Sequence, residues 1–147
     1  DFVASRPGDH VAMFCVTAGE GVRARYEQYK ADGEYLKSHG IQALAIETAE
    51  AAAEWLHHKL RGRWGFPDPP GTSMRDRFRA SYRGKRYSFG YPACPDLSLQ
   101  ARLFELLEPG DIGVSLTDEF MMEPEASVSA LVFHHPQARY FAVDRSD

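Results

Sequence analysis

The first strongly patterned part of the chain is a short apolar run, Val11–Thr17, followed by a long helical pattern. A short apolar run bounded by turn-forming residues is typical of a buried central strand. The chain then becomes charged, and Glu20–Ser38 is compatible with a helix that ends at His39–Gly40. From Ile41 to about Arg61, apolar residues recur at helical spacing, which makes this the strongest helix prediction in the chain. Its predicted apolar face comprises Ile41, Leu44, Ala45, Thr48, Ala52, Trp55, Leu56 and Lys59, with Glu47, Glu50 and Glu54 on the opposite side.

Proline-rich breaks and short patterned segments alternate in the second half of the chain. The stretch Phe66–Thr72 contains three prolines in FPDPPGT and is predicted to stop the long helix. Met74–Tyr82 predicts a short amphipathic helix. A further helix is predicted after Pro95, ending at Pro109–Gly110. Its capping residue is Asp96 or Ser98, and its buried side carries Leu99, Leu103, Leu106 and Leu107.

Alternating apolar residues towards the end of the chain predict strands. Within Ile112–Leu116, apolar residues alternate with polar or small residues, and the same alternation occurs within Ser127–His134. A tight turn at His135–Ala138 is predicted to join that second strand to Arg139–Val143 as a hairpin. Because helices and strands mix without a regular βαβ alternation, we predict an α+β fold with a mostly antiparallel, twisted β-sheet flanked by helices.

Composition narrows the class of protein. The chain has 147 residues, 44% of them hydrophobic, and a formal net charge of −4, which favours one domain spanning residues 1–147. The negative charge and the small size of the one basic cluster, Arg83–Arg86, argue against a nucleic-acid partner. No apolar run approaches the length of a membrane span, so we expect no signal peptide, no membrane partner and a cytoplasmic location. Cys15 and Cys94 are expected to be reduced thiols, although a disulfide remains open.

The segment Arg86–Asp96, RYSFGYPACPD, is the most informative part of the chain. Pro92 and Pro95 each remove a backbone donor and fix φ, while Gly90 permits a positive φ. We therefore predict a rigid, irregular loop, with no helix or strand, whose backbone groups point in fixed directions. Arg86 at one end can engage an anion. Such a loop is suited to wrapping a small polar molecule.

The histidines and cysteines indicate neither a metal site nor a catalytic dyad. His57-His58 and His134-His135 are adjacent pairs, which point to different sides of a helix or to opposite faces of a strand. Surface or capping roles are therefore expected for them. Cys94 has no His-Asp partner at a supporting spacing, so we assign no catalytic residue.

The motif Arg86–Asp96 closely resembles the signature of the C-terminal activation domain of cobalamin-dependent methionine synthase. Further segments resemble that domain in the same order, and together they cover essentially the whole chain. They are Asp1–Ala4, Val16–Gly19, Ala53–His57, Trp64-Gly65, Leu116-Thr117, Phe120, Met122, Pro124, Ala126–Ser129, His135-Pro136 and Arg139–Val143. The resemblance implies that the chain is one domain of a longer polypeptide.

The resemblance also implies that the domain binds S-adenosylmethionine. The implied ligand-binding residues are Asp1, Glu50, Arg86, Gly90, Tyr91, Pro92, Ala93, Tyr140 and Phe141. Arg86 would form a bidentate pair with the ligand carboxylate, and Asp1 would meet the amino group. The loop backbone near Tyr91 and Ala93 would contact the adenine, with Pro92 limiting its flexibility.

Some of these residues have an equally simple alternative reading. Glu50 would lie near the sulfonium or ribose of the ligand. Glu47 and Glu54 share its predicted helix face, however, and only the register of the resemblance selects Glu50 among the three. Tyr140 and Phe141 would present π faces to the cationic sulfonium, although they also fit alternate faces of an ordinary strand.

Two residues depart from the family pattern. Leu97 stands where a histidine is usual, which removes a polar contact to ligand or cobalamin, and Ala80 stands where a carboxylate is common before Tyr82.

By resemblance, the domain reactivates the enzyme after its cobalt cofactor has oxidised to cob(II)alamin. One electron from flavodoxin or an equivalent reductase, and a methyl group from S-adenosylmethionine, would restore methylcobalamin. Cobalamin would be carried by a partner domain of the same polypeptide, and the isolated chain would bind ligand without turning it over. Two alternatives remain: a stand-alone S-adenosylmethionine-binding regulatory module, and a purely structural interaction domain.

Overall fold

The chain combines α-helices with antiparallel β-strands, which confirms the predicted α+β class. A computed structural model describes residues 2–5 and 8–143. In chain order its elements are β1 (Val11–Thr17), α1 (Val22–Ala31), α2 (Tyr35–Arg63), α3 (Met74–Phe78), β2 (Lys85–Tyr87), α4 (Gln100–Leu107), β3 (Ser115–Leu116), β4 (Met122–Glu123) and β5 (Ser127–Phe133). Short 3₁₀ turns occupy Leu97–Leu99 and Pro109–Ile112, so Ile112 lies in a turn and not in the strand predicted for it.

The main sheet has the strand order β1-β5-β2, and β3 pairs with β4 in a separate ribbon. Strand β2 runs antiparallel to β5, with Arg86 opposite Val132. Gly84 immediately precedes β2 with a φ of +76°, and a Cβ at this position would lie 2.5 Å from the carbonyl oxygen of Phe133. The close approach of these two backbones therefore requires glycine.

Two predictions about this region are wrong. Residues 139–143 form no strand, so the predicted hairpin with β5 does not exist; β5 is paired with β1 and β2 instead. Arg86 and Tyr87 belong to β2, so the segment predicted to be an irregular loop begins as a strand. In both cases β5 satisfies its backbone groups with strands that are distant in sequence, which local patterns cannot reveal.

The boundary between α1 and α2 lies at Asp32–Glu34, not at the predicted His39–Gly40. Gly33 adopts a φ of +76°, and its N–H donates to the carbonyl of Lys30 at 3.1 Å. The next N–H, from Glu34, donates to the carbonyl of Tyr29 at 2.8 Å. These two bonds form a Schellman motif, which satisfies the last carbonyls of α1 and ends it.

Helix α2 buries a narrow stripe of residues spaced four apart, and this stripe differs from the predicted apolar face. The stripe consists of Ala45, Ala49, Ala53, His57 and Arg61, and Ser38 is also buried near the start of the helix. By contrast Leu44 is 67% exposed and Trp55 is 61% exposed. Small alanines allow close packing of the helix backbone, so its larger apolar side chains face outward.

No helix within residues 2–5 and 8–143 is both long and apolar enough to cross a membrane.

The chain divides into two compact units whose boundaries fall within β1, α2 and β5. The first unit contains Glu54–Leu97 together with the described parts of 1–14 and 130–147. Its buried residues are Phe14, His57, Arg61, Tyr87, Phe89, Ala130, Val132 and Ala138. Aromatic and charged side chains therefore share one interior.

The second unit contains Cys15–Ala53 and Ser98–Ser129. Small and aliphatic side chains fill its interior: Ala45, Ala49, Ala53, Leu103, Val114, Ala126 and Val128. Buried polar groups are paired, since the hydroxyl of Ser129 donates to Gln100 at 2.6 Å and the Gln100 amide donates to the carbonyl of Phe120 at 2.8 Å. Helix α4 ends at Leu107, and its C-cap Glu108 lies in the left-handed region directly before Pro109, close to the predicted end of the helix.

Candidate functional site

Arg86 lies at the centre of β2 in the first unit. Its pairing with Val132 of β5 fixes the backbone, and its side chain is only 17% exposed. A cation this deeply placed needs a compensating partner, because removing a charge from water is costly. The structure supplies that partner from helix α2.

Glu54 of α2 is the carboxylate that meets Arg86. Its Oε2 accepts a hydrogen bond from Nη1 of Arg86 at 2.5 Å and another from the hydroxyl of Tyr82 at 2.7 Å. Its Oε1 accepts from Nη2 of Arg61 at 3.3 Å. The Glu54 side chain is 12% exposed, so these charge-assisted bonds act in a partly dry environment. Glu54 therefore links two arginines and a phenol.

Arg61 anchors this network from the interior, where its side chain is 1% exposed. Its Nε and Nη2 donate to the two oxygens of Asp68 at 2.6 and 3.0 Å, a bidentate pair. Its guanidinium carbon lies 3.6 Å from the centre of the Tyr82 ring. Asp68 also accepts from Arg77 at 3.3 Å and lies 2.9 Å from Nδ1 of His58. Asp68 and Tyr82 thus hold Arg61 on two sides.

Burial and hydrogen bonding within the network shift the pKa values of Asp68 and Tyr82 in opposite directions. Hydrogen bonding from Arg61 lowers the pKa of Asp68 to about 2, against an ordinary value of 3.8. Burial, and then the hydrogen bond to Glu54, raise the pKa of Tyr82 well above its usual range. Tyr82 is therefore a neutral phenol at physiological pH and acts as a hydrogen-bond donor to Glu54.

His57 lies one turn before Arg61 on the same buried stripe and is fully buried. Its ring meets the Tyr82 ring edge-on, with centroids 5.2 Å apart. Neither ring nitrogen has a hydrogen-bond partner among the described residues. Burial, followed by the charges of Arg61, Arg86 and Lys85, lowers the pKa of His57 to about 3. The surface or capping role predicted for this histidine is wrong, because it is a neutral interior residue.

The segment after β2 forms a tight turn closed by backbone hydrogen bonds. The N–H of Gly90 donates to the carbonyl of Cys94 at 2.8 Å, and the N–H of Cys94 donates to the carbonyl of Tyr91 at 2.8 Å. Gly90 has a φ of +81°, which confirms the predicted left-handed conformation. The carbonyl of Pro92 accepts from the N–H of Val143 at 2.8 Å, which ties the turn to the C-terminal segment.

Tyr87, the neighbour of Arg86 in β2, organises a group of aromatic rings. Tyr140 and Phe141 each meet its ring edge-on, with centroids 5.8 Å apart, and Phe2 stacks on it at 6.1 Å. The hydroxyl of Tyr87 donates to the carbonyl of Arg139 at 2.7 Å. Tyr87 thus holds the segment containing Tyr140 and Phe141 without any strand pairing.

A cleft of about 780 Å³ lies elsewhere in the first unit. His134 lines it, with Nε2 2.7 Å from Oδ1 of Asp9 and its ring 5.3 Å from that of Trp64. Arg83 lies over the ring of Phe66 at 4.5 Å on the same cleft. None of the described residues that the sequence predicted for a ligand site lines this cleft.

Comparison with known proteins decides the family. The family model described as the activation domain of vitamin B12 dependent methionine synthase matches residues 1–147. The chain belongs to this activation-domain family. The resemblance predicted from Arg86–Asp96 is thereby confirmed.

Individual relatives agree with this activation-domain assignment. The methionine synthase of Mycobacterium tuberculosis is 42% identical over 118 residues, and that of Mycobacterium leprae is 41% identical over 117 residues. Each match covers 75% of this chain but only 10% and 9% of the two relatives, so the chain spans about a tenth of their length. A crystal structure of the MetH reactivation domain bound to AdoHcy is similar with a TM-score of 0.81 and 36% identity, covering 90% of this chain and 41% of that one.

The activation domain places the predicted ligand-binding residues in different environments. Arg86 is mostly buried in the network, whereas Tyr91 and Pro92 are exposed and Ala93 is half-buried. Tyr140 is 57% exposed and Phe141 is 43% exposed. Glu50 is exposed on α2 in the second unit, while the other described residues of this set lie in the first. Asp1 lies outside the described residues. Membership of a ligand site stays a prediction for each of them.

Sequence reasoning missed the roles of Glu54, Tyr82 and Arg61 in this activation domain. Glu54 was placed on the polar side of α2, where it could not be distinguished from its neighbours. The signal that could have found it is an arginine seven residues later, two turns along the same helix. Tyr82 gave no local signal, because only the tertiary fold brings its hydroxyl to the helix.

Metal binding receives no support from the described part of the activation domain. Within residues 2–5 and 8–143, no group of three or more histidine, cysteine, aspartate or glutamate side chains could hold a metal ion. Cys15 and Cys94 are free thiols. Burial raises the pKa of Cys15 to about 11, which leaves it protonated and unreactive at neutral pH.

Proposed function

We propose that this activation domain binds S-adenosylmethionine and presents its methyl group for the reductive methylation of cob(II)alamin on a partner domain. The observation that carries the proposal is its likeness to a reactivation domain bound to AdoHcy, the product left when S-adenosylmethionine has given up its methyl group. That protein is 36% identical to this chain and shares its fold over 90% of it.

Arg86 is the residue to which we assign the ligand carboxylate. Its guanidinium is planar and carries five N–H donors, which match a carboxylate in two places at once. Nη1 donates to Glu54 and to the hydroxyl of Tyr82, and these bonds fix the plane of the guanidinium that we propose meets the ligand carboxylate. Because the backbone of β2 is fixed, it determines the direction from which Arg86 holds the amino-acid part of the ligand.

The turn closed by Gly90 and Cys94 and the aromatic segment with Tyr140 and Phe141 are proposed to hold the nucleoside and sulfonium parts. The turn is joined to the chain beside Phe141 through the bond between Pro92 and Val143. An arrangement of this kind holds a ligand by orientation and not by acid–base chemistry. We keep Asp1 and Glu50 as further proposed contacts of the ligand.

In the proposed reaction, one electron from flavodoxin or an equivalent reductase converts cob(II)alamin to a nucleophile. Its electron pair forms the bond to the methyl carbon, the carbon–sulfur bond breaks, and S-adenosylhomocysteine leaves with that bonding pair. The work of this chain is to hold the sulfonium so that the methyl group faces the partner. The partner domain of the same polypeptide carries the cobalamin, and we expect the whole protein to act in the cytoplasm.

Titration calorimetry with S-adenosylmethionine tests binding. Methyl transfer is tested by adding the chain, S-adenosylmethionine and a one-electron reductant to a cognate cobalamin-carrying partner, and by following methylcobalamin through its absorption. Saturable binding with methylation supports the proposal. Binding without methylation would favour a regulatory module, and absence of binding would favour a structural interaction domain.

A further inference from the structure

Arg86 reaches its position through side chains that are not among the predicted ligand contacts. Its Nη1 donates to Glu54 at 2.5 Å and to the hydroxyl of Tyr82 at 3.3 Å. An arginine side chain has several rotatable bonds and loses rotamer entropy when it is fixed. If that entropy is lost before the ligand arrives, binding does not have to supply it.

Glu54 is itself unable to move freely. One of its oxygens accepts from Tyr82 and the other from Arg61, and its side chain is only 12% exposed. Arg61 is fixed in turn by its bidentate pair with Asp68 and by the ring of Tyr82. A continuous series of fixed groups therefore leads from the interior of the first unit to the guanidinium of Arg86.

The position of Glu54 also limits how far it neutralises Arg86. Glu54 shares its single negative charge between two arginines, Arg61 and Arg86. Glu54 by itself therefore does not balance the charges of both arginines.

From this geometry we propose that Glu54 is a positioning residue for ligand binding, which acts through Arg86 by fixing its guanidinium for the carboxylate of S-adenosylmethionine. The inference rests on the proposed function. It adds a residue that would not touch the ligand and assigns to it a specific part of the ligand, the carboxylate.

The test compares two ligands on the full chain by calorimetry. S-adenosylmethionine carries the carboxylate, and decarboxylated S-adenosylmethionine lacks it while keeping the amine, sulfonium and nucleoside. Glu54→Gln should weaken binding of S-adenosylmethionine about tenfold, the loss expected for one charge-assisted contact, and should leave the affinity for the decarboxylated ligand unchanged. Glu27→Gln, at an exposed position of α1, is the matched charge control and should alter neither affinity.

A thermodynamic cycle with Arg86→Ala checks that Glu54 acts through Arg86. Once Arg86 is absent, adding Glu54→Gln should cause no further loss of affinity for S-adenosylmethionine, because the group that it positions has gone. Should Glu54→Gln fail to fold, Tyr82→Phe removes one of the bonds that hold the carboxylate and should produce a smaller loss, again confined to the ligand that carries a carboxylate.

Each other outcome overturns a definite statement. If the unmodified chain binds neither S-adenosylmethionine nor S-adenosylhomocysteine, the proposed function fails. If it binds and Arg86→Ala loses affinity while Glu54→Gln does not, the positioning role alone fails. Equal weakening for both ligands would show a general structural effect, and tighter binding of S-adenosylmethionine by Glu54→Gln would show that Glu54 competes with the ligand.

Discussion

Burial of His57 as a neutral imidazole should make the stability of this domain depend on pH in a way that one substitution removes. His57 is 0% exposed, and burial together with Arg61 lowers its pKa from 6.5 to about 3. In the unfolded chain the same imidazole takes up a proton as the pH falls through 6.5. Between these two pKa values the unfolded state binds more protons than the folded state, so stability is complete above 6.5 and is lost as the pH falls.

The size of this effect follows from the two pKa values. Well below pH 6.5, each pH unit costs about 1.4 kcal/mol, and integration from pH 7 to pH 5 gives about 2 kcal/mol for His57. His57→Leu replaces the imidazole with an apolar side chain that has no protonation equilibrium. The variant should therefore lose about 2 kcal/mol less than the unmodified chain between pH 7 and pH 5.

Urea unfolding at the two pH values measures this difference. Tryptophan fluorescence is a suitable signal, because Trp55 and Trp64 are the two tryptophans of the chain and both lie in the same compact unit as His57. His57→Met serves as a control, since its packing cost differs from that of leucine while its effect on the pH dependence should be the same. If both variants keep the full pH dependence of the unmodified chain, His57 is not held neutral by the fold.

Three further substitutions test the site and its support. Arg86→Ala should weaken binding of S-adenosylmethionine by roughly 1.5–3 kcal/mol in calorimetry while the circular dichroism spectrum is retained; unchanged affinity in a folded variant would place the carboxylate elsewhere. Gly90→Val should reduce both stability and ligand affinity, because Gly90 has a φ of +81° and a Cβ there would lie 3.2 Å from Cδ1 of Leu97; normal melting and binding would contradict this. Asp68→Asn should destabilise the domain by about 3 kcal/mol, because buried Arg61 would lose its bidentate carboxylate and keep only the longer contact to Glu54; a change no larger than that of the exposed control Asp118→Asn would refute it.

The ends of elements were predictable where the chain carries a strong local signal. The apolar run Val11–Thr17 became β1 with the predicted bounds, and α4 stops next to Pro109. The predicted position of the break before α2 is wrong, because the sequence has two glycines at which a helix could end. Gly33 ends α1 through the bonds of the Schellman motif, whereas Gly40 continues inside α2. A glycine tolerates both environments, and its neighbours decide between them.

The buried face of α2 could not be read from hydrophobicity. The large side chains Leu44 and Trp55 suggested one face, yet the helix buries a stripe of alanines that continues through His57 and Arg61. Arginine is almost never fully buried unless it is paired, so burial of Arg61 can be predicted only when its partners are known. Asp68 and Tyr82 provide those partners, and neither is marked by any pattern in the sequence.

The sequence by itself determined the family, the mixed α+β class and the left-handed conformation of Gly90, because each depends on residue identities that are close together along the chain. The tertiary structure decided which carboxylate meets Arg86. Glu54 and Arg86 have 31 residues between them in the sequence. Their contact at 2.5 Å depends on how α2 and β2 pack within one unit. Packing of this kind is set by the whole interior, including the Arg61–Asp68 pair, and so it cannot be inferred from spacing along the chain.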